Sequence, residues 1–189
     1  MRTVALIVCM LLAQAAQAAE VAGVKLEDKA RIGSSELVLN GAGLRTRLFF
    51  KIYVGALYLP EKKSDPAQIL ASTGPKRVSM TLLRDLTAHQ LIDALEDGMR
   101  ANHSEAAIAA LKARMDQLAA TMREIGAAKQ GSVVALDYLP GSGTRVTVDG
   151  IEKGERIAGE DFYAGLLRIW LGDRPVDASL KRAMLGAAT

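Results

Sequence analysis

Two side chains on one predicted strand have the chemistry to hold a carboxylate. Arg45 and Tyr53 lie in the apolar and aromatic run from Leu44 to Leu59, which predicts a single β-strand. Side chains alternate between the faces of a strand, so this even spacing places both on one side unless a bulge intervenes. Leu57 shares that side. A guanidinium and a phenol above apolar surface would bind a carboxylate whose aliphatic chain lies along the apolar wall.

The two faces of this predicted strand differ in polarity. One is apolar throughout and carries Leu48, Phe50, Ile52, Val54, Ala56 and Tyr58. The other is mixed and carries Arg45, Arg47, Phe49, Lys51, Tyr53, Gly55 and Leu57. The pattern predicts a dry core on the apolar side and a more polar environment on the other. An alternative interpretation is that Arg45, Arg47 and Lys51 form a solvated strand face with Tyr53 at its edge.

The flanking sequence supplies the elements that would position this strand. Asn40–Gly43 predicts a turn before it, and further strands are predicted at 76–83, 132–138 and 144–148, the last two joined by a turn at 140–143. Helices are predicted at 66–71, after the capping pair Thr87 and Gln90, from Ser104 to Ile125, at 160–171 and at 178–185. Ile151–Lys153 is a short connecting piece. This order predicts an α+β fold with helices packed on one face of an antiparallel sheet.

The N-terminus predicts export. Residues 1–18 contain Arg2, an apolar run from Val4 to Ala13 and an Ala-Gln-Ala cleavage motif at 16–18, which is the pattern of a cleaved signal peptide. The run is too short to span a bilayer, which needs about 20 residues, so we expect no stable membrane span after cleavage. Residues 19–189 would then form one domain in the periplasm or outside the cell. That domain has 23 basic and 21 acidic residues, too even a balance to indicate nucleic-acid binding.

Most catalytic and metal-binding patterns are missing from the sequence. The only cysteine, Cys9, lies in the predicted signal, so the mature chain has no thiolate and no disulfide. His89 and His103 belong to no metal motif, and there is no Gly-x-Ser-x-Gly elbow or phosphate-binding loop. We therefore expect no metal ion and no cofactor.

Four segments in order resemble the chalcone isomerase superfamily, particularly its bacterial secreted branch. They are LNGAGLRTRLFFKIYVGALYLP (39–60), LLRDLTAHQLIDALEDGMRAN (82–102), DYLPGSGTRV (137–146) and RIWLGDRPVDASLK (168–181). The resemblance implies an open-faced β-sandwich, in which a long curved antiparallel sheet packs against a helical layer and a ligand cleft lies between them. It also implies one of two functions, cyclisation of chalcones or non-catalytic binding of fatty acids.

The resemblance favours binding over catalysis. Arg45 matches the strand arginine of the isomerases, but Leu91, Ala94 and Gly98 stand where those enzymes have Tyr, Lys and Asn, and Ile169 stands where they have Thr. An apolar wall can neither order a water molecule nor polarise a ketone. We therefore predict no chalcone isomerase activity.

The fatty-acid-binding branch uses an Arg and a Tyr on this strand, which Arg45 and Tyr53 match. The sequence thus predicts a secreted, non-catalytic binding protein for a fatty acid or similar amphipathic carboxylate. Its predicted ligand residues are Arg45, Tyr53, Leu57, Leu91, Ala94 and Ile169. Two alternatives remain open: a periplasmic accessory protein whose cleft receives a polypeptide, and an isomerase acting on another substrate.

Overall fold

A computed structural model describes residues 19–187. The predicted signal peptide, residues 1–18, lies outside the described residues. Eleven strands occur in this range: β1 Ala19–Val21, β2 Val24–Leu26, β3 Lys29–Ile32, β4 Ser35–Arg47, β5 Phe50–Leu59, β6 Lys76–Leu82, β7 Leu86–Thr87, β8 Ala127–Ala128, β9 Val133–Leu139, β10 Gly143–Val148 and β11 Ile151–Ile157.

Seven of these strands form one antiparallel sheet in the order β11-β10-β9-β6-β5-β4-β3. The short pairs β1-β2 and β7-β8 form two small sheets of their own. The connecting piece predicted at Ile151–Lys153 extends as the edge strand β11 to Ile157.

The described part of the chain also contains five helices: α1 Pro66–Ala71, α2 Ala88–Asn102, α3 Glu105–Ile125, α4 Glu160–Leu171 and α5 Ala178–Met184. Their start signals act as the sequence predicts. Thr87 and Gln90 form a reciprocal capping box on α2, Ser104 caps α3, and Asp177 accepts two backbone N–H groups at the start of α5. None of these helices has both the length and the apolar character needed to cross a membrane.

The predicted single strand from Leu44 to Leu59 is wrong. The chain reverses at Leu48 and Phe49, so β4 and β5 form a hairpin. The predicted turn at Asn40–Gly43 is also wrong, because those residues lie inside β4. A Cβ on Gly43 would come within 2.6 Å of the Ala183 Cβ, so this glycine allows close packing of α5 rather than a turn.

The sheet is buried on both faces around this hairpin. The larger core lies between the sheet and α2, α3 and α4, and it includes Tyr53, Leu57, Leu82, Leu118 and Leu166. A smaller core on the opposite face includes Leu26, Leu37, Val54, Ala56 and Tyr58. The face of β5 that the sequence marks as mixed therefore carries the main core. The α+β prediction, with a curved antiparallel sheet under a helical layer, is confirmed.

Candidate functional site

An apolar cavity of about 570 Å³ lies between the main face of the sheet and helices α2 and α4. This volume is within the range of about 300–1,000 Å³ that is typical of small-molecule sites. The interior wall is aliphatic and includes Met80, Leu118, Leu136, Val146 and Leu166, all of them buried. The exposed lining residues cluster at the β4–β5 hairpin and on α2, and they mark where the cavity opens to solvent.

Arg45 and Tyr53 stand side by side in the cavity wall. They are directly opposed residues of β4 and β5, not two positions along one strand. The Arg45 Cζ lies 5.4 Å from the centre of the Tyr53 ring. Cross-strand partners in an antiparallel pair have Cβ atoms about 5 Å apart, so the hairpin brings the two side chains together more closely than the predicted single strand would.

A β-bulge accompanies this pair. The register of β4 and β5 shifts after Arg45, because Arg45 pairs with Tyr53 whereas Thr46 pairs with Lys51. Ile52 is thus an extra residue in β5, and both it and Tyr53 line the cavity. Bulges redirect side chains in this way and are common beside functional sites.

Trp170 of α4 fixes the orientation of the Tyr53 hydroxyl. The indole Nε1 donates a hydrogen bond of 2.8 Å to the Tyr53 Oη, and both residues are almost fully buried. An indole N–H can only donate, so the phenol oxygen accepts this bond and keeps its own proton for another acceptor. Within residues 19–187 the Tyr53 hydroxyl donates no hydrogen bond.

Burial raises the pKa of the Tyr53 phenol, against the opposing effect of the Arg45 positive charge. The hydroxyl therefore keeps its proton at neutral pH. Together with the Trp170 bond, this makes Tyr53 a hydrogen-bond donor toward the cavity.

The Arg45 guanidinium is incompletely paired. Its Nε is buried and forms no hydrogen bond within the described part of the chain, although the guanidinium lies against Tyr53 and acts to lower the pKa of that phenol. Asp177 is close enough to influence Tyr53 electrostatically, but its carboxylate accepts the backbone N–H groups of Thr46, Ser179 and Leu180. A buried N–H without a partner is costly, and an anion would satisfy it.

Helices α2 and α4 approach closely where they form the wall opposite the sheet. A Cβ on Gly98 would lie 2.8 Å from Ile169 Cγ2, so the glycine permits this contact. Leu91, Ala94 and Ile169 all line the cavity. Leu57 differs from the other predicted ligand residues, because it is fully buried in the main core and is not part of the lining.

Trp170 and the rim residues Arg84 and Arg174 line the cavity but are not among the ligand residues predicted from the sequence. Trp170 is the only tryptophan in the chain and follows the predicted ligand residue Ile169, so its residue type and position together indicated a role at the site. Its partnership with Tyr53 spans 117 positions of sequence and could not be read from local spacing.

The arrangement suits binding of an anionic head group with an apolar body. Among the described residues that line the cavity there is no Ser, Thr, Cys, His or Lys. The acids at the rim are Asp93 and Asp97, and the Asp93 Oδ2 lies 2.8 Å from the His89 Nδ1. Within residues 19–187, no group of three or more His, Cys, Asp or Glu side chains could hold a metal ion.

The fold matches a solved plant structure. The crystal structure of a fatty-acid binding protein from Arabidopsis thaliana superposes with a TM-score of 0.67 and 13% sequence identity, covering 86% of this chain and 92% of that one. No curated protein sequence matches the chain. The family described as chalcone isomerase-like, however, matches residues 18–186, nearly the whole described range. The chain therefore belongs to the chalcone isomerase-like family.

Proposed function

We propose that the chain binds a fatty acid or a similar amphipathic carboxylate without covalent chemistry. The observation that carries the proposal is the buried Arg45 Nε, which lacks an acceptor beside a Tyr53 hydroxyl whose proton is free. Both groups donate hydrogen bonds, and one of them carries a charge. A carboxylate accepts through both oxygens and neutralises a guanidinium, so it matches the pair.

The remainder of the cavity suits an aliphatic chain. Burial of about ten methylenes contributes roughly 8 kcal/mol, and the charge-assisted head-group contact contributes about 2 kcal/mol more. Loss of translational and rotational freedom opposes this with at least about 4 kcal/mol. The balance predicts a dissociation constant between micromolar and millimolar. The plant protein of the same fold, which is named for fatty-acid binding, supports the ligand class.

Calorimetry of delipidated protein tests the proposal. We expect a long-chain fatty acid to bind, and the alcohol of the same chain length to bind about tenfold or more weakly, because it lacks the charge-assisted contact. Arg45→Met should reduce fatty-acid affinity by a similar factor and leave alcohol affinity unchanged.

Arg31→Met is the matched control. Arg31 is an exposed arginine on β3 that does not line the cavity, so its loss should change affinity by less than about threefold. Absence of fatty-acid binding, or equal effects of the two substitutions, would reject the carboxylate clamp. Cavity-filling Ala94→Phe should abolish binding of both the acid and the alcohol.

We further propose that the protein acts in the periplasm or outside the cell. The basis is the signal-peptide pattern of residues 1–18. N-terminal sequencing of protein recovered from a bacterial host should find Ala19 as the first residue, and an intact Met1 would contradict export by cleavage.

A further inference from the structure

The tip of the β4–β5 hairpin exposes three consecutive apolar side chains. Leu48, Phe49 and Phe50 are 85%, 99% and 59% exposed. We call residues Arg47–Lys51 the hairpin tip. Among the residues that the structure describes, the only other exposed large apolar side chains are Val133 and Ile151, which lie on other strands. Such concentrated apolar exposure indicates a surface that meets an apolar partner.

The backbone at the tip reinforces this interpretation. Leu48 has a φ of 56°, in the left-handed region that glycine and asparagine adopt easily and a bulky aliphatic residue does not. Tight hairpin turns normally carry Asn-Gly or a similar pair at this point. An exposed leucine in an unfavourable conformation contributes nothing to the core, which indicates a role outside the fold.

Cations surround the tip. Arg47 and Lys51 flank the apolar residues, and the Arg84 guanidinium lies 5.2 Å from the centre of the Phe50 ring. Within residues 19–187 none of these three cations forms an ion pair, whereas Lys112, Arg114 and Lys129 each pair with an aspartate. The nearby acids are Asp85, paired with Lys129, and Asp93 and Asp97 on the rim of the cavity.

We propose that the hairpin tip docks the protein onto an anionic lipid bilayer. Apolar side chains flanked by unpaired cations match an interface where phosphate groups overlie hydrocarbon. A protein partner is less well matched, because a stable interface buries about 800 Å² on each side, and two phenylalanines and a leucine expose less than that.

The place of the tip in the fold connects docking to the cavity. The cavity lining includes three residues of the hairpin tip, Arg47, Leu48 and Phe50, and the neighbouring Arg84. The docked face is therefore also the open edge of the cavity. If the proposed fatty-acid binding holds, a ligand could move between bilayer and cavity without crossing bulk water. Docking itself does not depend on that function.

Co-sedimentation with lipid vesicles tests the docking. We expect the protein to bind vesicles of phosphatidylcholine with 30% phosphatidylglycerol at least tenfold more tightly than pure phosphatidylcholine vesicles, and salt to weaken this binding. Phe49→Ser should reduce binding about tenfold or more, and Lys51→Glu should reduce it on the anionic vesicles only. All variants keep the same N-terminus, so their comparison does not depend on processing of residues 1–18.

Ile151→Ser is the matched control, because Ile151 is 63% exposed on a different hairpin. We expect the Ile151→Ser variant to bind vesicles like the unmodified chain.

Phe49 does not line the cavity, so Phe49→Ser should bind a soluble fatty acid normally in the absence of vesicles. Loss of vesicle binding with intact fatty-acid binding therefore separates docking from the proposed function. Equal vesicle binding by Phe49→Ser and the unmodified chain, or a dimer that Phe49→Ser disperses, would overturn the docking proposal.

Discussion

The main sheet holds arginines in two contrasting settings. On the face away from the cavity, Arg77 and Arg145 both bond the fully buried Asp137 carboxylate, with contacts of 2.8 and 2.6 Å. On the cavity face, Arg45 stands beside Tyr53 and its Nε has no acceptor within residues 19–187. The protein provides Arg77 and Arg145 with a carboxylate partner, whereas the Nε of Arg45 has none.

Arg77 and Arg145 stabilise the fold, whereas Arg45 is available to bind a ligand. A buried carboxylate between two guanidinium groups satisfies all three side chains and raises the pKa of Arg77, chiefly through its hydrogen bond to Asp137. A guanidinium beside a cavity without such a partner destabilises the unliganded protein and is favourable only when an anion arrives.

Asp137→Asn should have the largest effect on stability. It leaves two partly buried guanidinium groups without their counter-charge, and removal of one partner from a buried ion pair costs about 3–5 kcal/mol. Urea denaturation measures this loss in the free energy of unfolding. Asp116→Asn, which breaks the exposed pair with Lys112, should cost less than about 0.5 kcal/mol. Similar losses for the two variants would show that the buried Asp137 pair contributes no more to stability than an exposed ion pair.

Tyr53→Phe should have an intermediate effect. It removes the acceptor of the buried Trp170 N–H, and an unsatisfied buried donor costs about 1–3 kcal/mol. Chemical denaturation should show this loss, and Trp170 fluorescence of the folded protein should change because its hydrogen bond is gone. A fully stable Tyr53→Phe protein would show that the hydroxyl does not hold Trp170 in place.

Arg45→Met should leave stability unchanged or raise it by up to about 1 kcal/mol. Methionine fills a similar volume without placing an unsatisfied donor in the cavity wall. Thermal and urea unfolding of delipidated protein would measure this. A loss comparable to that of Asp137→Asn would mean that Arg45 is a structural residue like Arg77.

Alkaline pH should have the smallest effect on stability. Burial raises the pKa of Tyr53 in the native state, so the unfolded chain loses this proton first, and stability falls as pH rises above the ordinary tyrosine value of about 10. Tyr53→Phe should make that decline shallower. Burial of Lys76 lowers its pKa to about 8, so this lysine makes stability increase with pH between about 8 and 10.5. Both proteins contain Lys76, so the difference between their pH profiles isolates Tyr53.

The sequence predicted the helical half of the fold well and the central hairpin poorly. Caps such as Thr87, Ser104 and Asp177 act through hydrogen bonds within a few residues, so local spacing is sufficient to find them. The β4–β5 hairpin turns at Leu48-Phe49, which carries no turn chemistry, while Gly41 and Gly43 occur mid-strand because α5 packs against them. Tertiary packing therefore explains the two glycines, whereas the exposed Leu48-Phe49 turn gives no local signal and packs against no part of the core.

Residue types alone were sufficient to identify the side chains that are available to bind a ligand. A cationic arginine and a phenol near an apolar surface follow from residue type, and five of the six predicted ligand residues line the cavity. The fold was needed to show that Arg45 and Tyr53 are opposed across two strands, that Trp170 donates to the phenol oxygen, and that Leu57 belongs to the core. The reason is that these relations depend on strand register and helix packing, which join positions far apart in the chain.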